Sequence, residues 1–397
     1  MGAAGYLATS VPLRLANAGS IVALPILAVQ ELDDIGLGGA LVAASLAPAI
    51  VVAPFAGVAL DRARRPRALI VLTAVLTVIG YGAGAMLGIL PVPLIAALLL
   101  VAGCASPFFF GGLSSFVTEE IPDEQRAYAY DALSYTISSV GGPAIVALAG
   151  GTGTAAVGMG LMAGIAGIGA VSAFALRFRA RSATGVGWTR TLVAGSRHLV
   201  GHRSLRLVVL SGAVAALAGG ALPITAVGLA LERTGDAHDA APIVTAFAVG
   251  GLAGAVWSAI RPPRLSPALV MGGGFAVIGG ITLLAIPDLG MPWTVGVIGL
   301  SGVLTASSSA AMLLLRQRTS PPEVRSQVFT IGSSLRAAAT AAGAAVAGAV
   351  AGFDAGFLVA GVGATWIAAG AMMAAYRRSD ELPDPLTEPA PAADPAR

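Results

Sequence analysis

The chain has 397 residues, of which 56% are hydrophobic and 11% charged. A water-soluble domain carries roughly 25% charged residues, so this composition excludes a soluble globular protein and fits a lipid-facing one, and the 53 glycines suit helices whose backbones approach closely. The 23 basic residues are all arginine, for a net charge of +3; they lie mostly in short loops between apolar segments, where they set membrane topology rather than bind nucleic acid.

A bilayer core of ~30 Å needs about 20 apolar residues per helix. Such runs lie at 7–29, 38–60, 67–90, 93–117, 126–149 and 153–176, and again at 204–231, 240–260, 265–287, 292–314, 325–350 and 353–376. The first run is followed by further spans, which marks it as a transmembrane helix rather than a cleavable signal. The expected fold is an all-α integral membrane protein of twelve transmembrane helices in two six-helix bundles, 1–176 and 204–376. A cytoplasmic linker, 177–203, separates them, and Trp188 to Leu199 within it is expected to form an amphipathic surface helix. Residues 377–397, rich in Pro, Asp and Glu, are expected to be a disordered cytoplasmic tail.

The loops support the count. Arg62, Arg64, Arg65, Arg67, Arg126, Arg177 to Arg206, Arg261, Arg264, Arg316, Arg318, Arg325, Arg377 and Arg378 fall on one side. The alternate loops hold Arg233 alone among the arginines, with Glu31, Asp33, Asp34, Glu232, Asp236, Asp239, Asp288 and Asp354. By the positive-inside rule both termini are cytoplasmic, in a cell inner membrane.

The two halves repeat. Pro122-Asp-Glu-Gln-Arg126 leads into span 5, and Pro321-Pro-Glu-Val-Arg325 into span 11, 199 residues later. Gly57 to Asp61 and then Arg64-Arg-Pro-Arg67 close span 2; Gly254 and Arg261-Pro-Pro-Arg264 close span 8. Parallel repeats of this kind are one building plan of secondary transporters.

Gly57-Val-Ala-Leu-Asp61-Arg62-Ala-Arg64-Arg65-Pro-Arg67 resembles the span 2–3 loop signature of the major facilitator superfamily (MFS), with Ala63-Arg64 where the family often has a small residue and Gly. Gly142-Pro143 in span 5, with Gly150-Gly151 beyond, resembles the family's antiporter motif. Leu13-Arg14-Leu15 through Ala23-Leu24-Pro25 resembles the first span of its drug, macrolide and siderophore exporters. The resemblance implies alternating access around a central cavity, with Gly57, Asp61, Arg62 and Arg65 latching a cytoplasmic gate. Asp61 would favour the positive end of span 11, and Arg62 or Arg65 would pair with Glu119, Glu120 or Asp123. Ser258 stands where Asp61 would repeat, so the latch is one-sided. Span 4 has no arginine and span 1 no embedded acid, both departures from many proton-coupled exporters.

Ionisable residues inside a membrane are costly and mark function or pairing. Arg14 shares a helix face with Asn17; it lines a cavity, or else snorkels to the interface or pairs structurally. Asp131 lies at a similar depth in span 5, on a face with Ser134, Tyr135, Ser138 and Gly142. An ion pair with Arg14 is expected, and Asp131 is the candidate proton-coupling group. Arg336 lies near the middle of span 11 on a face with Ser333 and Thr340. Its guanidinium would bind an anionic or carbonyl-bearing substrate, or else backbone carbonyls of a neighbouring helix. Thr305, Ser307, Ser308 and Ser309 in span 10, and Ser106, Ser114 and Ser115 in span 4, are expected mainly to satisfy carbonyls. Pro25, Pro107, Pro143 and Pro223 are candidate bending points.

The lone Cys104 allows no disulfide framework. His198, His202 and His238 lie outside the apolar runs, and HExxH, Gly-x-Ser-x-Gly and Gly-x-x-x-x-Gly-Lys-[Ser/Thr] are absent. No catalytic residue, metal or cofactor is expected. The leading expectation is a monomeric proton antiporter exporting small amphipathic molecules. The alternatives are an importer of a small organic anion, suggested by two embedded arginines against one acid, and a non-transporting sensor or assembly factor.

Overall fold

A computed structural model of the chain describes residues 2–121, 124–150, 155–176, 197–261, 263–320 and 322–377. The expected linker helix, apart from 197–199, and the tail beyond 377 lie outside the described residues. Among the described residues, besides a short helical stretch at 197–201, twelve helical rods follow one another: α1 (Gly2–Leu32), α2 (Ile35–Leu46 and Pro48–Arg62), α3 (Pro66–Gly84), α4 (Val92–Pro107, a π-helical turn Phe108–Gly112, and Leu113–Glu120), α5 (Glu124–Gly150) and α6 (Ala155–Ser172). Then come α7 (Arg203–Thr234), α8 (Ala240–Ile260), α9 (Pro267–Leu283), α10 (Met291–Gly302 and Thr305–Arg318), α11 (Pro322–Ala349) and α12 (Ala355–Met372).

In lipid every backbone polar group must be satisfied within the chain, and helices achieve this locally. Among the described residues, nine of these rods are long and apolar enough to cross a bilayer unaided. The other three are α5, α9 and α11. The helix of α9 is short, and α5 keeps a short apolar stretch, Leu133–Ala149. Both α5 and α11 carry ionisable and hydroxyl side chains and pack on the central helices α1 and α7, so they need not be apolar all round. Phe55, Ile79, Leu148, Ile168, Val171, Phe174, Trp257 and Ile260 are exposed and form part of the apolar outer surface.

Packing repeats between the halves. In the first, α1 packs on α6, α5 and α2, and α3 on α4 and α6. In the second, α7 packs on α12, α11 and α8, and α9 on α10 and α12. The halves meet where α2 lies on α11 and α5 on α8, two contacts that a two-fold exchange of the halves interconverts.

Details repeat as well. A Cβ on Gly142 would lie 2.5 Å from Gly19 N and 2.7 Å from Leu15 O, so α1 and α5 cross backbone to backbone. Gly220 and Gly343, each 201 residues on, make the same crossing of α7 and α11. At the far end of α1, Gln30 Oε1 accepts from Ala155 N at 2.8 Å and caps α6; Glu232 Oε2 accepts from Ala355 N at 2.8 Å and caps α12. Asp33, φ 51°, ends α1 in left-handed geometry, as Gly235, φ 75°, ends α7.

At this same end the halves touch. A Cβ on Gly39 in α2 would lie 2.6 Å from Ala344 O in α11. Gln30 Nε2 meets His238 Nδ1 at 2.8 Å across the interface.

Candidate functional site

Arg14 lies twelve residues inside α1, about 18 Å along the axis, deeper than a helix starting at residue 7 implied. It is 1% exposed. Its Nη1 lies 2.7 Å from Asp131 Oδ1 on α5 and also donates to the Ser134 hydroxyl. Nη2 donates to Phe110 O at 3.0 Å and Ser114 Oγ at 2.9 Å, and Nε to Phe109 O at 3.3 Å. The guanidinium carbon sits 3.8 Å from the centre of the Tyr135 ring. Tyr6, on one α1 face with Arg14, donates its hydroxyl to Asp131 Oδ1 at 2.5 Å. The cation therefore does not snorkel; it is enclosed and paired.

The carbonyls come from a local break in α4. Pro107 lacks an N–H and disturbs the helix ladder, and Phe108–Gly112 widens into a π turn. Such turns free carbonyls and recur at functional sites; here Phe109 O and Phe110 O turn to Arg14. Ser138 Oγ donates to Val11 O at 3.2 Å, so the contact of α5 with α1 continues from Asp131 through Ser138 to the Gly142 crossing.

The second half builds a different cluster at the corresponding place, among α7, α10 and α11. Hydropathy alone puts Arg316 in a loop beyond residue 314. Instead α10 continues to Arg318, and Arg316 turns inward, 1% exposed. Its spacing from Ser308 and Met312, four residues each, was the available signal. Arg316 Nη2 meets Met312 Sδ at 3.5 Å, and its Nε has no partner. Arg336 Nη1 meets the same sulfur at 3.9 Å. Among the described residues neither arginine forms an ion pair.

Other expected residues separate from these clusters. Asn17 is buried and donates to the Tyr81 hydroxyl at 3.0 Å, tying α1 to α3. Ser333 is exposed, and Thr340 donates to Arg336 O within its own helix at 3.0 Å. Hydroxyls in α4 and α10 mostly donate to their own helices, as with Ser106 to Gly103 O and Thr305 to Gly302 O. Gly142 makes the α1 crossing, and Pro143 lines a cleft of about 370 Å³ between α5, α8 and α10 with Thr136, Ser139, Phe247, Thr305 and Ser309. Gly57, Asp61 and Arg62 fall in Pro48–Arg62, with side chains outside the described residues. Arg65 is exposed at the start of α3.

Arg67 and Arg233 carry structural roles. Arg67 donates to Phe174 O at 3.1 Å, beyond α6. Arg233 donates to Ala285 O at 2.6 Å, just past α9. A cation there complements the negative helix end.

Residues 7–344 match the Major Facilitator Superfamily profile. Over 336 residues, 82% of each chain, the sequence is 26% identical to the uncharacterized MFS-type transporter y4rN of Sinorhizobium fredii (strain NBRC 101917 / NGR234). In fold it is similar to a single-residue mutant of the nucleoside transporter NupG, TM-score 0.75 at 14% identity, covering 94% of this chain and 99% of that one. It is also similar to a POT family transporter in complex with 5-aminolevulinic acid, TM-score 0.73 at 12% identity, covering 95% and 96%. The chain is a multi-pass membrane protein and belongs to the Major Facilitator Superfamily.

Proposed function

We propose that this membrane transporter is a secondary active exporter of small amphipathic molecules in the cell inner membrane, with both termini cytoplasmic. Its two six-helix bundles rock about the α2–α11 and α5–α8 contacts, and export is driven by proton antiport. The observation that carries the reading is the Arg14–Asp131 pair, 2.7 Å apart and enclosed in the first bundle. A largely buried carboxylate, 14% exposed, tied to one cation can exchange that tie for a proton. Arg14 then still has Phe109 O, Phe110 O and Ser114, so the cation is not stranded. The tie joins α1 to α5, and α5 packs on α8 of the other bundle, so a proton at Asp131 acts next to the moving interface.

The test is flux of a dye and drug panel in proteoliposomes under imposed proton gradients. Exchange of solute against protons, lost in Asp131→Asn, is expected. No response to a gradient of either sign would refute proton antiport. A second reading, import of a small organic anion, draws support from Arg316 and Arg336.

A further inference from the structure

We infer that Arg316 and Arg336 form a binding site for the anionic group, carboxylate or phosphate-like, of the transported solute. The inference rests on the transporter reading, but not on its direction or its coupling ion. Two guanidinium groups reach one thioether sulfur, Met312 Sδ, at 3.5 and 3.9 Å. A thioether accepts weakly and neutralises nothing. Arg316 is 1% exposed with an unpartnered Nε, which is unusual for a buried group. An anion with two or more oxygens matches the guanidinium fork and offsets both charges.

The internal repeat shows what is missing. The 201-residue offset fixed by the Gly142 and Gly343 crossings carries Asp131 onto Gly332 and Tyr135 onto Arg336. In the first half the carboxylate of Asp131 faces the arginine. In the second, a Cβ on Gly332 would lie 2.8 Å from Arg316 Nη1 and 2.9 Å from its Cζ. The glycine thus admits the guanidinium and supplies no carboxylate. Gly212 on α7 flanks it from the other side, where a Cβ would lie 3.4 Å from Nη2. Arg336 is half-buried, and Ser333, three residues earlier on α11, is exposed, so the cluster is approached along this face of α11.

The decisive variant is Gly332→Asp, which returns the carboxylate to the second half; the nearest atoms all belong to the tip of Arg316, which can shift. The experiment is the thermal midpoint of the full-length protein in phosphatidylcholine nanodiscs, titrated with sodium sulfate against sodium chloride at equal ionic strength. Sulfate is expected to raise the midpoint by several degrees in the natural sequence. It should have under a third of that effect in Arg316→Met, Arg336→Met and Gly332→Asp. Gly332→Asp should itself be the most stable of the set without sulfate. Equal sulfate shifts in all four proteins would overturn the site, as would none in the natural sequence. Stabilisation by phosphatidylglycerol in place of sulfate would assign the cluster to a lipid headgroup and overturn the solute reading. A protein that binds sulfate through these residues yet moves no solute would leave the site standing and refute the transporter reading alone.

Discussion

The carboxylate of Asp131 holds the guanidinium of Arg14 at 2.7 Å, and the helices that carry them cross at Gly142 and Gly19 with no side chain between. Breaking a buried pair strands one charge and typically costs about 3–5 kcal/mol. Arg14 keeps carbonyl partners, so Asp131→Asn is expected at or below the low end of that range, about 2–3 kcal/mol. Arg14→Met strands the acid, which retains Tyr6. The double variant should cost less than the sum of the singles, because neither charge is then left alone. Denaturation in detergent micelles of all four proteins checks this, and strict additivity would show that the pair is not coupled.

Solute counterflow separates the pair's structural role from a coupling role. It exchanges labelled for unlabelled solute and moves no net proton. If Asp131 carries the exchanged proton, Asp131→Asn should retain at least a third of counterflow while gradient-driven flux falls more than tenfold. Parallel loss of both would reduce Asp131 to a structural residue.

Gly142 admits no side chain, because its nearest neighbours are backbone atoms of α1. Gly142→Val and Gly343→Val should each abolish recovery of folded protein. Gly164→Ala and Gly280→Ala, positions where a Cβ meets nothing within 4 Å, should be neutral to slightly stabilising. Size-exclusion profiles after solubilisation report this, and a monodisperse Gly142→Val protein would refute the tight crossing.

The twelve rods and the two bundles were legible because hydropathy and loop arginines carry independent information about the same boundaries. The Arg14–Asp131 pair was legible because opposite charges at matched depth in lipid have few other partners. Arg316 was not. It sits two residues from the end of α10, where charge ordinarily signals a loop; its four-residue spacing from Ser308 and Met312 is the one hint in the sequence, and that spacing does not show what packs over the face, which its burial and Gly332 on another helix do. The hydrogen bond of Asn17 to Tyr81 was not legible either, because Tyr81 lies 64 residues away on α3 and the face that Asn17 shares with Arg14 does not say which helix packs over it.

Asp33 and Gly235 end equivalent helices in left-handed geometry, φ 51° and 75°. Asp tolerates this better than most residues but less well than Gly. Asp33→Gly is therefore expected to be neutral or to stabilise by up to about 1 kcal/mol, and Gly235→Val to destabilise by about 1–2 kcal/mol. Chemical denaturation of the two variants measures both, and destabilisation by Asp33→Gly would mean that the Asp33 side chain carries a contact beyond its backbone role.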